Sequence, residues 1–310
     1  MITFNQEAFV AEAIDSVLMQ RCDFAFELVV GEDCSTDATR KIVEEYAQLR
    51  PDIVKLCTSE TNVGAQRNLA RVFAACSGQY VAILDGDDYW TSPDKLQHQV
   101  DYLDAHPDCA LCFHNVQFDD GGTLSPPYLT SQPERSGLRD LLCGDNYIAS
   151  CTAMYRWGLV ETLPPWWNDL WIADLPLHVL HAQQGWIGYL DEVMAAYRVH
   201  AGGLWTGKQP IDRSDGVIRT FELLDQHLGH EFRSLIRKRI FAMKYAVAGV
   251  LLESGHRDLA GPRVWWCVSH LRWRGQVSLA RVVVLATLQV APWLVPLSVR
   301  AKRILRRLVR

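Results

Sequence analysis

An apolar strand that ends in a cluster of carboxylates stands out in the segment Tyr80-Val-Ala-Ile-Leu-Asp85-Gly86-Asp87-Asp88. Three carboxylates within four residues repel one another and lose hydration at the end of a buried strand, unless a cation lies among them. Oxygen ligands of this kind suit Mg²⁺ or Mn²⁺ rather than zinc, and such a cation is normally shared with a substrate diphosphate. The segment therefore predicts a divalent-cation site; the alternative is an acidic turn exposed to solvent.

Strand and helix patterns alternate on both sides of this segment. The predicted strands are Ile2–Phe4, Phe26–Gly31, Val54–Thr58, Tyr80–Leu84 and Cys109–Val116, and the predicted helices cover Gln6–Arg21, Ser35 or Thr36 to Leu49, residues 65–76 and a segment that begins at Ser92-Pro93. Strands separated by helices of this length predict an α/β fold with a mostly parallel sheet and right-handed crossovers. In such sheets the loops at the carboxyl ends of the strands form the binding crevice.

Two more polar loops follow predicted strands at the same edge of the sheet. The loop Glu32-Asp33-Cys-Ser-Thr-Asp37 offers carboxylates that could accept hydrogen bonds from a nucleobase or a ribose. The loop Asn62-Val-Gly64-Ala-Gln-Arg67-Asn68 offers a tight turn and a cation. Because the carboxyl ends of parallel strands share one edge, we expect all three loops to line one crevice.

In their order and spacing these loops resemble the motifs of the family 2 inverting glycosyltransferases, which have the nucleotide-diphospho-sugar transferase (GT-A) fold. The matching segments are Thr3-Phe4-Asn5, Ala13-Ile-Asp-Ser-Val17, Glu32–Asp37, Asn62–Gly64 with Arg67-Asn68, Gly78–Asp88 and Tyr197-Arg198-Val-His200. The resemblance covers roughly residues 1–200. It implies a Rossmann-like sheet flanked by helices in a catalytic domain over residues 1–215, followed by a helical C-terminal region over residues 216–310.

The resemblance also implies a binding site for a nucleoside-diphosphate sugar. Its expected members are Thr3, Phe4, Glu7, Asp33, Arg67, Asp85, Gly86 and Arg198. The backbone of Thr3 and Phe4, together with Asp33, would hold the nucleobase side of the donor. Asp85 would face the ribose and the sugar. Glu7 is equally compatible with an exposed residue in the first turn of a helix.

The same resemblance implies Mn²⁺ or Mg²⁺ as the cofactor, bound by Asp87 and His200. Asp88 is expected to orient the loop, and Arg198 is expected to offset charge on the phosphates. His200 ends the segment Leu190-Asp-Glu-Val-Met-Ala-Ala-Tyr-Arg-Val-His, which resembles the family segment whose histidine reaches the metal or the diphosphate, and Gly202-Gly203 stand shortly after it. A lone histidine is more often not a ligand, so this context carries the assignment.

An inverting transfer needs a base, because the acceptor hydroxyl must lose its proton as it attacks the anomeric carbon. In the family the base is an aspartate at the start of a helix, and Asp174 fits that place, although Ala173 stands where a glutamate is usual. Asp169 is the rival candidate. A helix N-cap role is the alternative interpretation of Asp174.

The charge of −5 is an average over two unlike parts of the chain. Residues 1–231 carry 15 Lys and Arg against 34 Asp and Glu, whereas residues 232–310 carry 16 against 2. A general nucleic-acid binder would carry its basic face on the folded domain, so this distribution argues against one. It favours contact between the C-terminal region and an anionic surface.

The last residues suggest what that surface is. Val282–Val299 carries no charge, but its 18 residues are at the short limit for a membrane span, and two prolines and several polar residues weaken that interpretation. Six cations separated by apolar residues follow in 300–310. This pattern favours a tail, about residues 277–310, that lies in an anionic membrane interface; packing onto the body or a partner is the alternative.

Composition bounds the remaining choices. Hydrophobic residues make up 49% of 310, which excludes a wholly disordered chain. Nine scattered cysteines are a poor disulfide framework, and the first residues lack the pattern of a signal peptide. We therefore expect a cytoplasmic protein, or one peripheral to the inner face of the cell membrane.

The sequence thus predicts an enzyme that transfers a sugar from a nucleotide sugar, with UDP favoured by the family, to a saccharide or lipid-linked acceptor. Two alternatives remain. A sugar-nucleotide nucleotidyltransferase would have a glycine-rich loop after the first strand, where this chain reads Thr3-Phe-Asn-Gln-Glu7. A non-catalytic carbohydrate-binding protein could use the tryptophan-rich segment 137–200, but would not need Asp85, Asp87 and Asp174 together.

Overall fold

The computed structural model describes residues 1–290 of the chain. Two compact units divide the chain between Lys208 and Gln209. The predicted boundary after residue 215 falls inside a helix that begins at Pro210, because proline is favoured at the first helical position.

The first unit combines ten strands with six helices in residues 1–208. The strands are β1 (Ile2–Thr3), β2 (Leu28–Glu32), β3 (Val54–Thr58), β4 (Tyr80–Ala82), β5 (Tyr89–Trp90), β6 (Cys109–Asp120), β7 (Thr123–Leu124), β8 (Arg135–Ser136), β9 (Met154–Arg156) and β10 (Trp186–Arg198). The helices are α1 (Val10–Leu18), α2 (Thr39–Leu49), α3 (Ala65–Ala75), α4 (Lys95–Ala105), α5 (Leu138–Cys143) and α6 (Asp174–Ala182). Short 3₁₀ helices cover Ser150–Thr152 and Pro165–Asp169.

The strands form two hydrogen-bonded groups. β1, β2 and β3 pair in parallel in that order. In the second group the order is β4-β9-β6-β10-β5; β6 and β10 are parallel, whereas β9 runs antiparallel to both of its neighbours. A single parallel bridge between Ile2 and Asp85 joins the two groups. The predicted α/β class is confirmed, with a parallel first group and a mixed second group.

Helix α1 shows why the first group is well anchored. Val10, Ile14 and Val17 recur at helical spacing and pack in a cluster with Val30 of β2 and Val43 of α2. All five side chains are buried. Burial of this apolar face holds α1 and α2 against β2. The loops that follow the first strands are therefore held in place as well.

Three predicted helices begin later than the sequence indicates. Helix α4 begins at Lys95 instead of Ser92-Pro93, and side-chain contacts account for the later start of the other two. Helix α1 begins at Val10 instead of Gln6, because the backbone N–H of Gln6 donates to Thr39 Oγ1 and that of Glu7 donates to Asp37 Oδ2. Helix α2 begins at Thr39, because the N–H of Ser35 is bonded instead to the Glu32 carboxylate. In both places side chains satisfy N–H groups in a loop before the helix starts.

The second unit, described from Gln209 to residue 290, is helical. Its helices are α7 (Pro210–His227), α8 (Arg233–Glu253), α9 (Arg257–Ser269) and α10 (Leu279–Val290). Phe241 and Tyr245 of α8 are buried in one cluster with Val264 of α9 and Leu285 of α10. Within residues 1–290 no helix combines the length and the apolar character needed to cross a bilayer. The predicted tail of about residues 277–310 is described only as far as the end of α10, and its six final cations lie outside the described residues.

Candidate active site

The loop that follows β4 is clamped against β1. The N–H of Gly86 donates to the Ile2 carbonyl at 2.9 Å. A Cβ atom at Gly86 would lie 2.5 Å from Gln6 Oε1 and 2.8 Å from the Cβ atom of Thr3. Only glycine therefore lets the Asp85–Asp88 loop approach β1 this closely.

Three carboxylates crowd this loop. Asp85 Oδ2 accepts a hydrogen bond from the Ser150 hydroxyl at 2.9 Å, and Asp88 Oδ1 accepts one from the Arg198 N–H at 2.8 Å. The other Asp88 oxygen is buried without a hydrogen-bond partner among the described residues. Burial and the charge of Asp87 raise the pKa of Asp85 to about 6, and the same two causes raise the pKa of Asp88. The loop thus concentrates negative charge that a cation would stabilise.

Asp87 and His200 meet at the outer side of the loop. Asp87 Oδ2 lies 3.1 Å from His200 Nε2, and the imidazole also packs on the ring of Phe9. Among residues 1–290 no group of three candidate ligand side chains surrounds a common point. One carboxylate and one imidazole fit a cation whose other ligands come from water or a bound diphosphate. The imidazole favours Mn²⁺, since Mg²⁺ takes oxygen ligands.

Arg198 holds the loop to its surroundings. Its guanidinium donates to the Asp87 carbonyl at 2.7 Å, forms an ion pair with Glu12 of α1, and lies 3.8 Å from the Asp119 carboxylate of β6. It also stacks on the ring of Tyr89. These contacts already engage the guanidinium, so positioning the loop is its visible task, and direct contact with donor phosphates stays a prediction.

Asp33 joins the Glu32–Asp37 loop to the Asn62–Asn68 loop. Its two carboxylate oxygens accept hydrogen bonds from the N–H groups of Val63 and Gly64, both at 2.9 Å. The side chain is buried. Asp33 therefore fixes the turn before α3, and contact with a nucleobase stays a prediction. Arg67, in the first turn of α3, is exposed.

The remaining residues predicted to bind the nucleotide sugar lie in β1 and in the loop between β1 and α1. Thr3 is buried, and its hydroxyl donates to Gln6 Oε1, whereas Phe4 is exposed. Glu7 is exposed, and its carboxylate accepts a hydrogen bond at 2.8 Å from the N–H of Ala38, the residue before α2. A carboxylate at this place stabilises the helix N-terminus, so Glu7 has a structural task whether or not it contacts a nucleotide.

Asp174 is the first residue of α6 and lies near the carboxylate loop. Asn146 Nδ2 donates to its Oδ2 at 2.7 Å. Burial raises the pKa of Asp174, and its charge contributes to the raised pKa of Asp85. The N-cap position belongs to Ala173, but the Asp174 carboxylate accepts hydrogen bonds from its own N–H and from that of Leu175, so Asp174 also stabilises the first turn of α6. The rival, Asp169, is exposed at the end of a 3₁₀ helix.

The structure thus brings Asp85, Asp87, Asp88 and Asp174 into one electrostatic cluster. Sequence reasoning missed Ser150 and Asn146, which hold Asp85 and Asp174 respectively. Both missed residues lie in 144–152, a segment without regular periodicity in which neutral polar side chains carry no pattern. Only their pairing with distant carboxylates marks them as part of the site.

Comparisons with known proteins identify the family of this chain. Residues 1–163 match the sequence model of glycosyl transferase family 2. An uncharacterized protein of Mycobacterium tuberculosis is 38% identical over 252 residues, which cover 76% of this chain and 70% of that protein.

Two solved structures share the fold. The enzyme TarS of Staphylococcus aureus, a poly(ribitol-phosphate) beta-N-acetylglucosaminyltransferase, is 30% identical over 176 residues, covering 56% of this chain and 28% of that protein. Its fragment 1–349 in complex with UDP-GlcNAc superposes with a TM-score of 0.66 at 20% identity, covering 93% of this chain and 85% of the fragment. The mannosyltransferase PcManGT of Pyrobaculum calidifontis, in complex with GDP-Man and Mn²⁺, gives 0.59 at 18% identity, covering 99% and 83%. The fold is therefore that of the GT-A glycosyltransferases.

Replacing Arg198 by alanine is expected to lower the free energy of unfolding by about 1–3 kcal/mol, because the buried Asp119 carboxylate loses its cation and the Asp87 carbonyl loses a hydrogen bond, whereas the exposed Glu12 contributes little. Arg67→Ala is the matched control; its side chain is exposed and forms no ion pair within residues 1–290, so stability should stay within about 0.5 kcal/mol of wild type. Urea denaturation of both variants measures the difference. Equal stability of the two variants would show that Arg198 does not hold the loop.

Proposed function

The chain belongs to glycosyl transferase family 2, and from that premise we propose that it is an inverting enzyme that transfers a sugar from a nucleoside-diphosphate sugar to a hydroxyl of a saccharide or lipid-linked acceptor. The observation that carries the proposal is the placement of Asp174 beside the Asp85–Asp88 loop. One acidic group can then act on the acceptor while the loop binds the donor. A purely binding protein has no need of this pair of groups.

The chemistry follows from the positions of the side chains. Asp174 takes the proton of the acceptor hydroxyl as its oxygen attacks the anomeric carbon on the face opposite the diphosphate, giving inversion in a single displacement. Asn146 orients the carboxylate, and Asp85 faces the ribose and sugar of the donor. A divalent cation bound by Asp87 and His200 would supply positive charge against the charge that develops on the departing nucleoside diphosphate.

We propose UDP as the nucleotide and a cell-surface polysaccharide or glycan as the product. The S. aureus enzyme was solved with UDP-GlcNAc and acts on a ribitol-phosphate polymer, which supports both choices; the Pyrobaculum enzyme was solved with GDP-Man, so GDP sugars are the competing donors. The nine scattered cysteines support a cytoplasmic site of action, because the cytoplasm is a reducing environment in which thiols do not form disulfides.

Donor binding should require both the cation and Asp87. We expect Mn²⁺ to tighten binding of a UDP sugar by about tenfold or more, measured by calorimetry with UDP-GlcNAc, UDP-glucose and GDP-mannose, and we expect Asp87→Ala to remove the difference. Asp108→Ala is the matched control, because Asp108 is exposed at the amino end of β6, away from the strand end that carries the site. Pyrophosphate release in place of nucleoside-diphosphate release would favour the nucleotidyltransferase, and absence of any donor binding would contradict the proposal.

The base is tested by comparing two aspartates. Asp174→Asn should lower kcat by about 10²–10⁴, because an amide cannot accept the proton, while donor affinity stays near the wild-type value. Asp169→Asn should leave kcat within about twofold of wild type, since Asp169 is exposed outside the carboxylate cluster. The measurement is steady-state transfer to a verified acceptor. Near wild-type turnover by Asp174→Asn would remove this residue from the mechanism.

The raised pKa of Asp174 predicts where kcat/KM falls on the acid side of its pH profile. Transfer requires the deprotonated carboxylate, so kcat/KM should fall as the pH drops through that pKa, at a higher pH than for an exposed aspartate. Asn146→Ala removes a hydrogen bond that favours the charged form and should move the limb to still higher pH. Asp85 and Tyr155 are the titratable groups that sense the charge of Asp174.

The control for this profile is Asn168→Ala, which changes an exposed asparagine outside the carboxylate cluster. It should reproduce the wild-type limb. A limb that stays in place in Asn146→Ala would show that this hydrogen bond does not tune the base, and a loss of activity at all pH values would indicate a structural role for Asn146 instead.

A further inference from the structure

The second unit carries an apolar groove that the catalytic proposal does not use. The groove lies between α9 and α10 and has a volume of about 230 Å³. Its lining residues are Trp265, Val268, Leu271, Leu279, Val282, Val283, Ala286, Thr287 and Val290. Thr287 is the single polar side chain in this set, and its hydroxyl donates to the Val283 carbonyl within α10. The groove therefore offers an occupant apolar contact.

Three large apolar side chains at the rim of this groove are about half exposed to solvent. Trp265 is 50% exposed, Leu279 is 50% exposed and Val283 is 55% exposed. Single apolar residues on a surface are ordinary, but three large ones around one groove form a contiguous patch, and such patches mark interaction sites. A binding partner at this groove would cover these three side chains.

The net charge of the second unit limits which kind of partner can cover the groove. Residues 209–290, the described part of the second unit, carry twelve Lys and Arg against seven Asp and Glu, and residues 291–310 add six cations and no acid. Arg272 and Arg274 follow α9 and are exposed, and Arg281 belongs to α10 itself. A second copy of the same surface would bring like charges together, and so would residues 300–310 with their six cations. The partner that complements an apolar groove within a cationic surface combines an apolar interior with an anionic exterior.

We propose that the α9–α10 groove is a docking surface for an anionic lipid bilayer. Trp265, Leu279 and Val283 enter the headgroup boundary, where the indole ring suits an environment that is apolar on one side and wet on the other. Arg272 and Arg274 contact lipid phosphates, and each cation near an anionic leaflet strengthens the association. The proposal is independent of the donor and of the base, and it places the site of attachment in the folded helices instead of in the final residues alone.

Flotation of the full chain with vesicles tests this surface. The wild-type protein should float with vesicles of phosphatidylcholine mixed with phosphatidylglycerol, should float poorly with pure phosphatidylcholine, and should be released by high salt. Val283→Asp and Leu279→Asp should each reduce the bound fraction by about tenfold or more, since each places a carboxylate in the interface and opposes burial of the groove. Equal binding to both kinds of vesicle would overturn the electrostatic part of the proposal.

The matched control is Leu49→Asp, which makes the same change at a 74% exposed leucine of α2 in the first unit and should float like wild type. Thermal melts establish that each variant is folded; both groove substitutions are at half-exposed positions and should melt near the wild-type temperature. If Val283→Asp and Leu279→Asp float as well as wild type, the final residues act alone and the groove is not the docking surface. A dimer in sedimentation that these variants dissociate, without vesicle binding by wild type, would assign the groove to a second copy and overturn the proposal.

Discussion

Crowding of buried negative charge at the end of β4 is the constraint on which the rest of the site depends. Asp85 and Asp88 are held where burial and the neighbouring Asp87 both oppose ionisation, and the raised pKa values of the two carboxyls express that cost. The chain offsets it with a hydroxyl from Ser150 and a backbone N–H from Arg198. One oxygen of Asp88 still has no partner among the described residues. The cluster sits at the end of a packed strand, and a positive charge beside it would lower the cost of ionising its carboxyls.

Several side chains that sequence motifs assign to the donor turn out to build the crevice itself. Asp33 uses both oxygens on the turn before α3, Glu7 holds the start of α2, and Arg198 joins the carboxylate loop to α1 and β6. A loop that must meet a ligand with little reorganisation needs such fixed contacts. A motif residue can therefore be essential through the backbone that it positions, without contacting the substrate.

The local sequence pattern predicts strands and helices well where their bounds depend on neighbouring residues. Strand β3 has the predicted bounds, and the apolar face of α1 is buried as its periodicity indicates. The start of α1 was misplaced because its preceding N–H groups bond to Asp37 and Thr39, some thirty residues away. The sequence suggests Asp174 as a candidate from its place at the start of an apolar helix, whereas nothing in the sequence marks Asn146, its hydrogen-bond partner 28 residues earlier. A neutral amide acquires its role only from a long-range pairing, which periodicity does not encode.

The opposite charges of the two parts of the chain constrain how any anionic surface can be approached. Residues 1–231 carry an excess of acidic groups, so an anionic bilayer repels them, whereas residues 232–310 carry 16 cations against 2 acids and are attracted. Both effects decay over about 10 Å at moderate salt, so attraction over that range must come from the basic part of the chain. Charge alone cannot hold the protein there when salt rises, because screening weakens every such contact. In the docking that we propose, the exposed apolar rim around Trp265 and Val283 would supply the contribution that salt does not screen, and it would offset the repulsion between the acidic first unit and an anionic membrane.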